Sequence, residues 1–131
     1  MASSRLFVMI KPDGVRRCLI GEIISRFERK GFTISHMRMV LPSKDLVEEH
    51  YQEHKGRLYF DKLVDFVTSG EVVAMIIEGN IEVARAVVGA TTPWEAQRGT
   101  IRGDLASSIR ENLVHCSDSL MSAKREIGIW F

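Results

Sequence analysis

The chain has 131 residues, 45% of them apolar, and a formal net charge of +1. This length and apolar content allow one domain, residues 1–131, to bury a core without disulfides or a structural metal. The small net charge argues against nucleic acid as the main partner, because proteins that bind a phosphate backbone usually carry a clustered basic surplus.

Localisation is predicted from the cysteines and from targeting signals. Cys18 and Cys116 have no zinc-ligand spacing, so we expect free thiols in a reducing compartment, the cytoplasm. The N-terminal sequence Met-Ala-Ser-Ser-Arg has no apolar leader region, and no apolar run approaches the ~18 residues that a membrane span needs. We therefore expect neither a secretory leader nor a membrane partner.

The first elements predicted along the chain are a strand, a helix and a second strand. Residues 5–11 are an apolar run between an arginine and a lysine, typical of a central strand buried on both faces. After a turn at Asp13-Gly14, apolar residues recur at helical spacing up to Gly31, a typical C-cap. Residues 32–41 alternate loosely, as a half-buried strand does.

The middle of the chain predicts three helices around one strand. Ser43 is a typical N-cap for a polar helix that reaches about His54. Residues 59–70 predict an amphipathic helix, and residues 72–77 a second strongly apolar strand. Asn80 is the predicted cap of a helix that ends near residue 88.

The last third predicts a loop, a strand and a helix. Residues 89–103 show no periodicity and predict a long surface loop, a kind of segment that is often functional. Residues 109–115 predict a fourth strand, and Ser119 caps a final helix that runs to about Ile129. The order predicts a ferredoxin-like α/β sandwich of the α+β type: a four-stranded, largely antiparallel sheet with helices on one face.

His115 is the strongest candidate for a nucleophile. It ends an apolar run, which predicts a ring at the tip of a buried strand, facing a cleft. A neutral imidazole is nucleophilic at physiological pH, and a carboxylate such as that of Glu126 can hold it in one tautomer. A hydrogen-bonded structural histidine is the alternative interpretation.

Three cations could converge on an anionic ligand. Arg102 lies between Gly99 and Gly103, where glycines let backbone approach a ligand, and its guanidinium matches phosphate with two donors. Lys11 and Arg85 add charge if their elements end at the same edge. Taken singly, each cation also fits ordinary solvated surface.

Other candidate sites carry weaker signals. The chain has neither a P-loop nor a dinucleotide-binding glycine pattern. His50 and His54 have a spacing that can bind zinc, but the sequence offers no third ligand to complete the site. Tyr51 and Tyr59 could supply a hydroxyl or a stacking face, or could simply pack in the core, and Trp94 could be an exposed contact.

Five segments together resemble the nucleoside diphosphate kinase family over nearly the whole chain. They are Lys11-Pro-Asp-Gly-Val15, Gly21-Glu-Ile-Ile24, Glu49-His-Tyr51, Gly99-Thr-Ile-Arg-Gly-Asp104 and Asn112-Leu-Val-His-Cys-Ser-Asp-Ser119. The resemblance implies transfer of the γ-phosphate of a nucleoside triphosphate to a nucleoside diphosphate, by a ping-pong mechanism through a phosphohistidine. It also implies Mg²⁺ held by the nucleotide phosphates, and a homo-oligomer, with a hexamer favoured over a tetramer.

The same resemblance assigns roles by position. His115 would be phosphorylated, with Glu126 and Ser117 orienting it and with Lys11 and Tyr51 completing the catalytic set. Phosphate, sugar and base would be bound by Lys11, Tyr59, Arg85, Thr91, Arg102 and Asn112. Of these, Tyr59 would be the platform beneath the base.

This sequence departs from the family pattern at several positions. Cys116 stands where the family usually has glycine, and it would be strained if that position needs a positive φ. Tyr59 replaces the more usual phenylalanine, and the segment at Gly79-Asn80 is slightly shorter than in most members.

Two other functions stay open at this stage. A ferredoxin-like sheet is also the platform of RNA-recognition domains, and Lys30-Gly31-Phe32 resembles the start of their aromatic motif, although the second aromatic set is lacking. A catalytically idle scaffold is the other alternative. The presence of His115 and Glu126 argues against it.

Overall fold

The computed structural model describes residues 4–131. Its sheet has four strands, which are β1 Ser4–Ile10, β2 Thr33–Val40, β3 Val72–Gly79 and β4 Val114–Cys116. Their spatial order is β2-β3-β1-β4, and each neighbouring pair is antiparallel. The predicted ferredoxin-like sheet is confirmed. The first three residues of the N-terminal segment, for which we predicted no leader, lie outside the described residues.

The α-helices of the described chain are α1 Pro12–Arg16, α2 Ile20–Arg29, α3 Lys44–His50, α4 Phe60–Val67, α5 Ile81–Val88, α6 Ile101–Leu105 and α7 Leu120–Trp130. Within residues 4–131, no helix is long and apolar enough to cross a membrane. The three predicted caps are confirmed: Ser43, Asn80 and Ser119 each accept a backbone N–H three residues further on. Each cap fixes where its helix begins.

Helices cover both faces of the sheet, so the prediction of helices on one face is wrong. From Leu6 to Ile10, alternate residues of β1 point to opposite faces, and both sets are apolar and fully buried. On one face they pack with residues of α2 and α5, including Ile23, Phe27, Ala84 and Val88. On the other they pack with α3, α4 and α7, including Val47, Val64 and Trp130. An RNA-recognition sheet needs an open aromatic face, whereas here both faces of the central strands β1 and β3 are covered.

Three predicted elements have different bounds in the structure. Asp13-Gly14 lies inside α1 and is not a free turn, and the fourth strand begins at Val114 rather than at residue 109. The predicted loop 89–103 contains a 3-10 turn, Pro93–Glu95, and the start of α6. Gly103 obscured this helix in the sequence, although a side chain there would overlap the carbonyl oxygen of Gln97. Only glycine therefore fits this first turn.

Candidate active site

A cavity of about 590 Å³ opens beside the end of β4. Nine of the ten predicted site residues line it: Lys11, Tyr51, Tyr59, Arg85, Thr91, Arg102, Asn112, His115 and Glu126. The tenth, Ser117, is fully buried behind the wall and donates a hydrogen bond to Glu126. The structure thus gathers into one place residues that are up to 115 positions apart in sequence.

His115 lies in β4 with a side chain that is 20% exposed, and α7 brings Glu126 to it. Its Nε2 lies 3.0 Å from Oε2 of Glu126, while Oε1 of the same carboxylate accepts the Ser117 hydroxyl at 2.6 Å. Ser117 Oγ in turn accepts the backbone N–H of Phe7 at 3.2 Å. Because an ionised carboxylate only accepts, it holds the His115 proton on Nε2. The lone pair is then on Nδ1.

Burial and charge keep the His115 ring neutral. Burial lowers the pKa of His115 to about 3, and the nearby cations Lys11 and Arg102 add to the effect. The ring therefore carries no charge over the physiological range, and its Nδ1 lone pair is available for attack. Burial also raises the pKa of Glu126, whereas His50 and the Ser117 hydrogen bond oppose this shift.

His50 is a neighbour of the site that sequence reasoning treated only as a zinc candidate. Its ring meets that of His115 at 77°, with centroids 4.5 Å apart. The indole N–H of Trp130 donates to Nδ1 of His50 at 2.9 Å, which places the remaining His50 proton on Nε2, 3.9 Å from Oε2 of Glu126. The contact joins residues 80 positions apart, so no local pattern could have found it.

This tautomer argues against a metal site. The ligand atoms of His50, His115 and Glu126 lie within 4.8 Å of one another. A metal needs a lone pair from each imidazole, but the Trp130 indole N–H occupies the Nδ1 lone pair of His50, so that the His50 Nε2 facing the group carries a proton. His54 lies in the 3-10 turn Gln52–His54 that follows α3, and its Nδ1 is paired with the Tyr59 hydroxyl.

The cations of the site donate mainly to neutral groups, and their burial differs: Lys11 is buried, Arg102 is half-buried and Arg85 is exposed. Lys11 is 6% exposed, and its Nζ donates to Oδ1 of Asn112 at 2.8 Å. Arg102 donates to the backbone carbonyls of Gly89, Asn112 and Val114, at 3.2, 3.3 and 2.7 Å. Arg102 lies in α6, so its predicted position in a loop is wrong. Arg85 donates to the Ser117 carbonyl at 3.4 Å.

These cations lower one another's basicity. Burial, followed by the charge of Arg102, lowers the pKa of Lys11 to about 8. Burial, together with the charge of Arg85, lowers the pKa of Arg102 to about 10. Concentrated positive charge of this kind favours an anionic ligand. A group with several negative oxygens, such as a phosphate chain, fits this end of the cavity.

A strained turn that no local sequence pattern predicts precedes β4. Leu113 has φ +76°, and the N–H of Val114 donates to the Asn112 carbonyl at 2.9 Å, which closes a classic γ-turn. Oδ2 of the buried Asp13 accepts the Leu113 N–H at 3.0 Å. The Leu113 carbonyl accepts the Lys11 N–H at 2.8 Å. Both backbone groups of the strained residue are thus held by partners about 100 positions away.

Cys116 does not carry the backbone strain that its replacement of glycine suggested. Among the described non-glycine residues, positive φ occurs at Cys18 and Leu113. Cys116 is buried, and burial raises the pKa of its thiol to about 12, so the thiol stays protonated and unreactive.

The opposite end of the cavity is aromatic and apolar. Tyr59, 47% exposed, lines the cavity together with Leu63 and Ile109, and its ring is three successive ring contacts from His115, through His54 and Tyr51. Its hydroxyl lies 2.6 Å from Nδ1 of His54, a contact that the sequence did not predict. At the loop side, the Thr91 carbonyl accepts Nδ2 of Asn112 at 3.3 Å. The cavity therefore has a cationic end beside His115 and a flat, apolar end at Tyr59.

The chain is similar in sequence to nucleoside diphosphate kinases. A family model described as nucleoside diphosphate kinase matches residues 4–131. A nucleoside diphosphate kinase of Synechococcus sp. (strain WH7803) is 56% identical over 100% of this chain and 88% of its own length. One from Saccharolobus solfataricus is 54% identical over 100% of this chain and 96% of its own length.

Solved structures give the same result. A nucleoside diphosphate kinase family protein from Babesia bovis is 45% identical, with a TM-score of 0.94, over 98% of this chain and 88% of that one. A nucleoside diphosphate kinase from Encephalitozoon cuniculi is 38% identical, with a TM-score of 0.96, over the same shares of the two chains.

The γ-turn at Leu113 yields a prediction about stability. Asp13→Ala leaves the buried Leu113 N–H without an acceptor, so we expect the free energy of unfolding to fall by about 1–3 kcal/mol in urea titration. Asp13→Asn is the matched control, because its amide oxygen can still accept this bond, and we expect it to retain most of that stability. An equal loss in both variants would contradict the role of Asp13 as an acceptor.

Proposed function

This chain belongs to the nucleoside diphosphate kinase family and transfers the γ-phosphate of a nucleoside triphosphate to a nucleoside diphosphate; within that reaction, we propose that Nδ1 of His115 carries the phosphoryl group. The observation that supports this proposal is the 3.0 Å contact between His115 Nε2 and Glu126. It leaves a neutral ring with its lone pair on Nδ1, in a cavity rich in cations.

The transfer takes place in two steps, phosphorylation of His115 and transfer of the phosphoryl group to a second nucleotide. Nδ1 attacks the γ-phosphorus, an N–P bond forms, and the bond to the β-phosphate oxygen breaks, so that its electron pair leaves with the diphosphate. The ring becomes positive, and the carboxylate of Glu126 faces the Nε2–H that carries this charge. A second diphosphate then reverses the step and regenerates the neutral ring, which explains how one site serves donor and acceptor in turn.

Charge on the moving phosphoryl group is stabilised by the cationic end of the cavity. Lys11, Arg85 and Arg102 line it, and phosphoryl transfer depends mainly on positioning and on such charges. Tyr51 adds a buried hydroxyl that has no partner among the described residues, and burial raises its pKa, so it stays a donor. Asn112 and Thr91 complete the wall that would face phosphate and sugar.

Mg²⁺ is proposed as a cofactor that enters with the nucleotide. Mg²⁺ prefers oxygen ligands and usually binds through substrate phosphates with one or two carboxylates. Glu126 already has hydrogen bonds at both oxygens, whereas Asp118 also lines the cavity. A hydrogen bond with Ser122 lowers the pKa of Asp118, so it is ionised and suits a cation. When bound, Mg²⁺ would neutralise charge on the phosphate oxygens.

A homo-oligomer, with a hexamer favoured over a tetramer, and a cytoplasmic location are further proposals. β2 is an edge strand, and its exposed side includes Met37, Met39 and the adjacent Leu41, an apolar edge that self-association would cover. Trp94, 72% exposed, is a second apolar contact point. Both cysteines are free thiols, which suits a reducing compartment.

The assignment of His115 is tested by labelling with γ-labelled ATP and Mg²⁺. We expect acid-labile label on the wild-type protein, and none on His115→Ala, whose turnover should fall at least about 1,000-fold, or about 4 kcal/mol of barrier. His36→Ala is the matched control, since His36 is exposed and lies outside the cavity. If His115→Ala kept turnover within about tenfold, another nucleophile would be required.

The site also predicts a pH profile. Lys11 is cationic below its pKa of about 8 and loses its charge as the pH rises through that value, so nucleotide binding should weaken above about pH 8. His115, with a pKa of about 3, should add no step between pH 7 and 10. We expect kcat/KM for phosphorylation by ATP to fall on the alkaline side. A profile that stays flat to pH 10 would contradict the role of Lys11.

A further inference from the structure

The hydrogen bond between Tyr59 and His54 is a feature of the cavity that the transfer mechanism does not use. We propose that His54 is a positioning residue that holds the Tyr59 ring as a fixed platform for the nucleotide base. This proposal rests on the proposed function, because it takes the flat, apolar end of the cavity as the place of the base.

The geometry of the pair fits this role. Nδ1 of His54 lies 2.6 Å from the Tyr59 hydroxyl, and the two ring centroids are 5.6 Å apart at 58°. Both side chains line the same cavity as His115. The bond is local, since it joins the 3-10 turn Gln52–His54 to the residue that immediately precedes α4.

The ring of His54 is itself in contact with a buried aromatic side chain. Its ring lies 6.0 Å from that of Tyr51, which is buried against His50. The hydrogen bond therefore connects the half-exposed Tyr59 to the buried part of the site through two aromatic contacts. A contact of this kind restricts a side chain that would otherwise exchange rotamers at the surface.

The segment between the two residues gives a reason why such support is needed. Residues 55–58 are exposed, Gly56 has φ +91°, and Leu58 packs against nothing. Tyr59 therefore follows a turn that offers its ring little packing. Stacking a base on a freely rotating ring costs conformational freedom, whereas a ring already held by His54 has lost that freedom before binding.

The chemistry of the cavity indicates what stacks on the ring. Lys11, Arg85 and Arg102 attract a phosphate chain to the end near His115, while Tyr59, Leu63 and Ile109 form the apolar end. A nucleoside diphosphate has the same two-ended character, with an anionic chain and a flat base. Because every base has a π-face, the effect of a held ring should be the same for purines and pyrimidines.

The test is a double-mutant cycle in the full-length protein. Tyr59→Phe keeps the stacking face and removes the hydroxyl, and His54→Leu removes the partner. We expect each variant to raise KM for nucleoside diphosphates about fivefold, or about 1 kcal/mol, with kcat unchanged. We expect the double variant to be no worse than either single one, because both remove the same bond.

Two controls separate positioning from a general structural effect. His54→Gln can still hydrogen-bond the hydroxyl, so it should restore most of the affinity. Ribose 5′-triphosphate has no base, so its phosphorylation of His115 should be unaffected in every variant. It would also show that the catalytic end is intact in variants that bind bases poorly.

Several outcomes would overturn the proposal. Unchanged KM values, or effects that multiply in the double variant, would mean that the hydrogen bond does not support the platform. Effects confined to one base would mean that His54 contacts base edges directly. Failure of wild-type protein to become labelled on His115 would instead refute the proposed function, so the two failures are distinguishable.

Discussion

In the proposed mechanism, the chemistry of the site depends on the hydrogen bond between Glu126 and His115. A neutral imidazole can carry its proton on either ring nitrogen. The carboxylate 3.0 Å from Nε2 selects the tautomer with the proton on Nε2. The carboxylate is held in turn by the hydroxyl of Ser117 at 2.6 Å, and by the packing of α7 on β1, where Trp130 stacks on Phe7. The orientation of one nitrogen lone pair thus depends on the docking of the C-terminal helix.

The site concentrates features that do not favour stability. Lys11 is buried and Arg102 is half-buried, both with mainly neutral partners, and Leu113 adopts a backbone conformation that is costly for a bulky side chain. Two apolar cores, one on each face of the sheet, offset these costs. A bound phosphate chain would supply the negative charge that the free protein lacks, so ligand binding and stability should be coupled.

Local sequence patterns predicted the central strands and the starts of three helices. The central strands β1 and β3 follow from apolar runs, and three helix starts follow from Ser43, Asn80 and Ser119. The helical position of Arg102 was missed because Gly103 resembles a loop residue. Contacts between distant residues, such as Asp13 with Leu113 and Trp130 with His50, have no local pattern at all. The set of site residues came from resemblance to a family, and the structure supplied their geometry.

In the proposed mechanism, Glu126 leaves Nδ1, and not Nε2, as the reacting atom of His115. This assignment is tested most directly by NMR on ¹⁵N-histidine-labelled protein phosphorylated by ATP, in which one-bond coupling between ³¹P and ¹⁵N identifies the bonded nitrogen. We expect coupling of phosphorus to Nδ1 of His115, with a proton retained on Nε2 beside Glu126. Coupling of phosphorus to Nε2 would contradict this assignment, because that nitrogen would then have to leave its carboxylate partner.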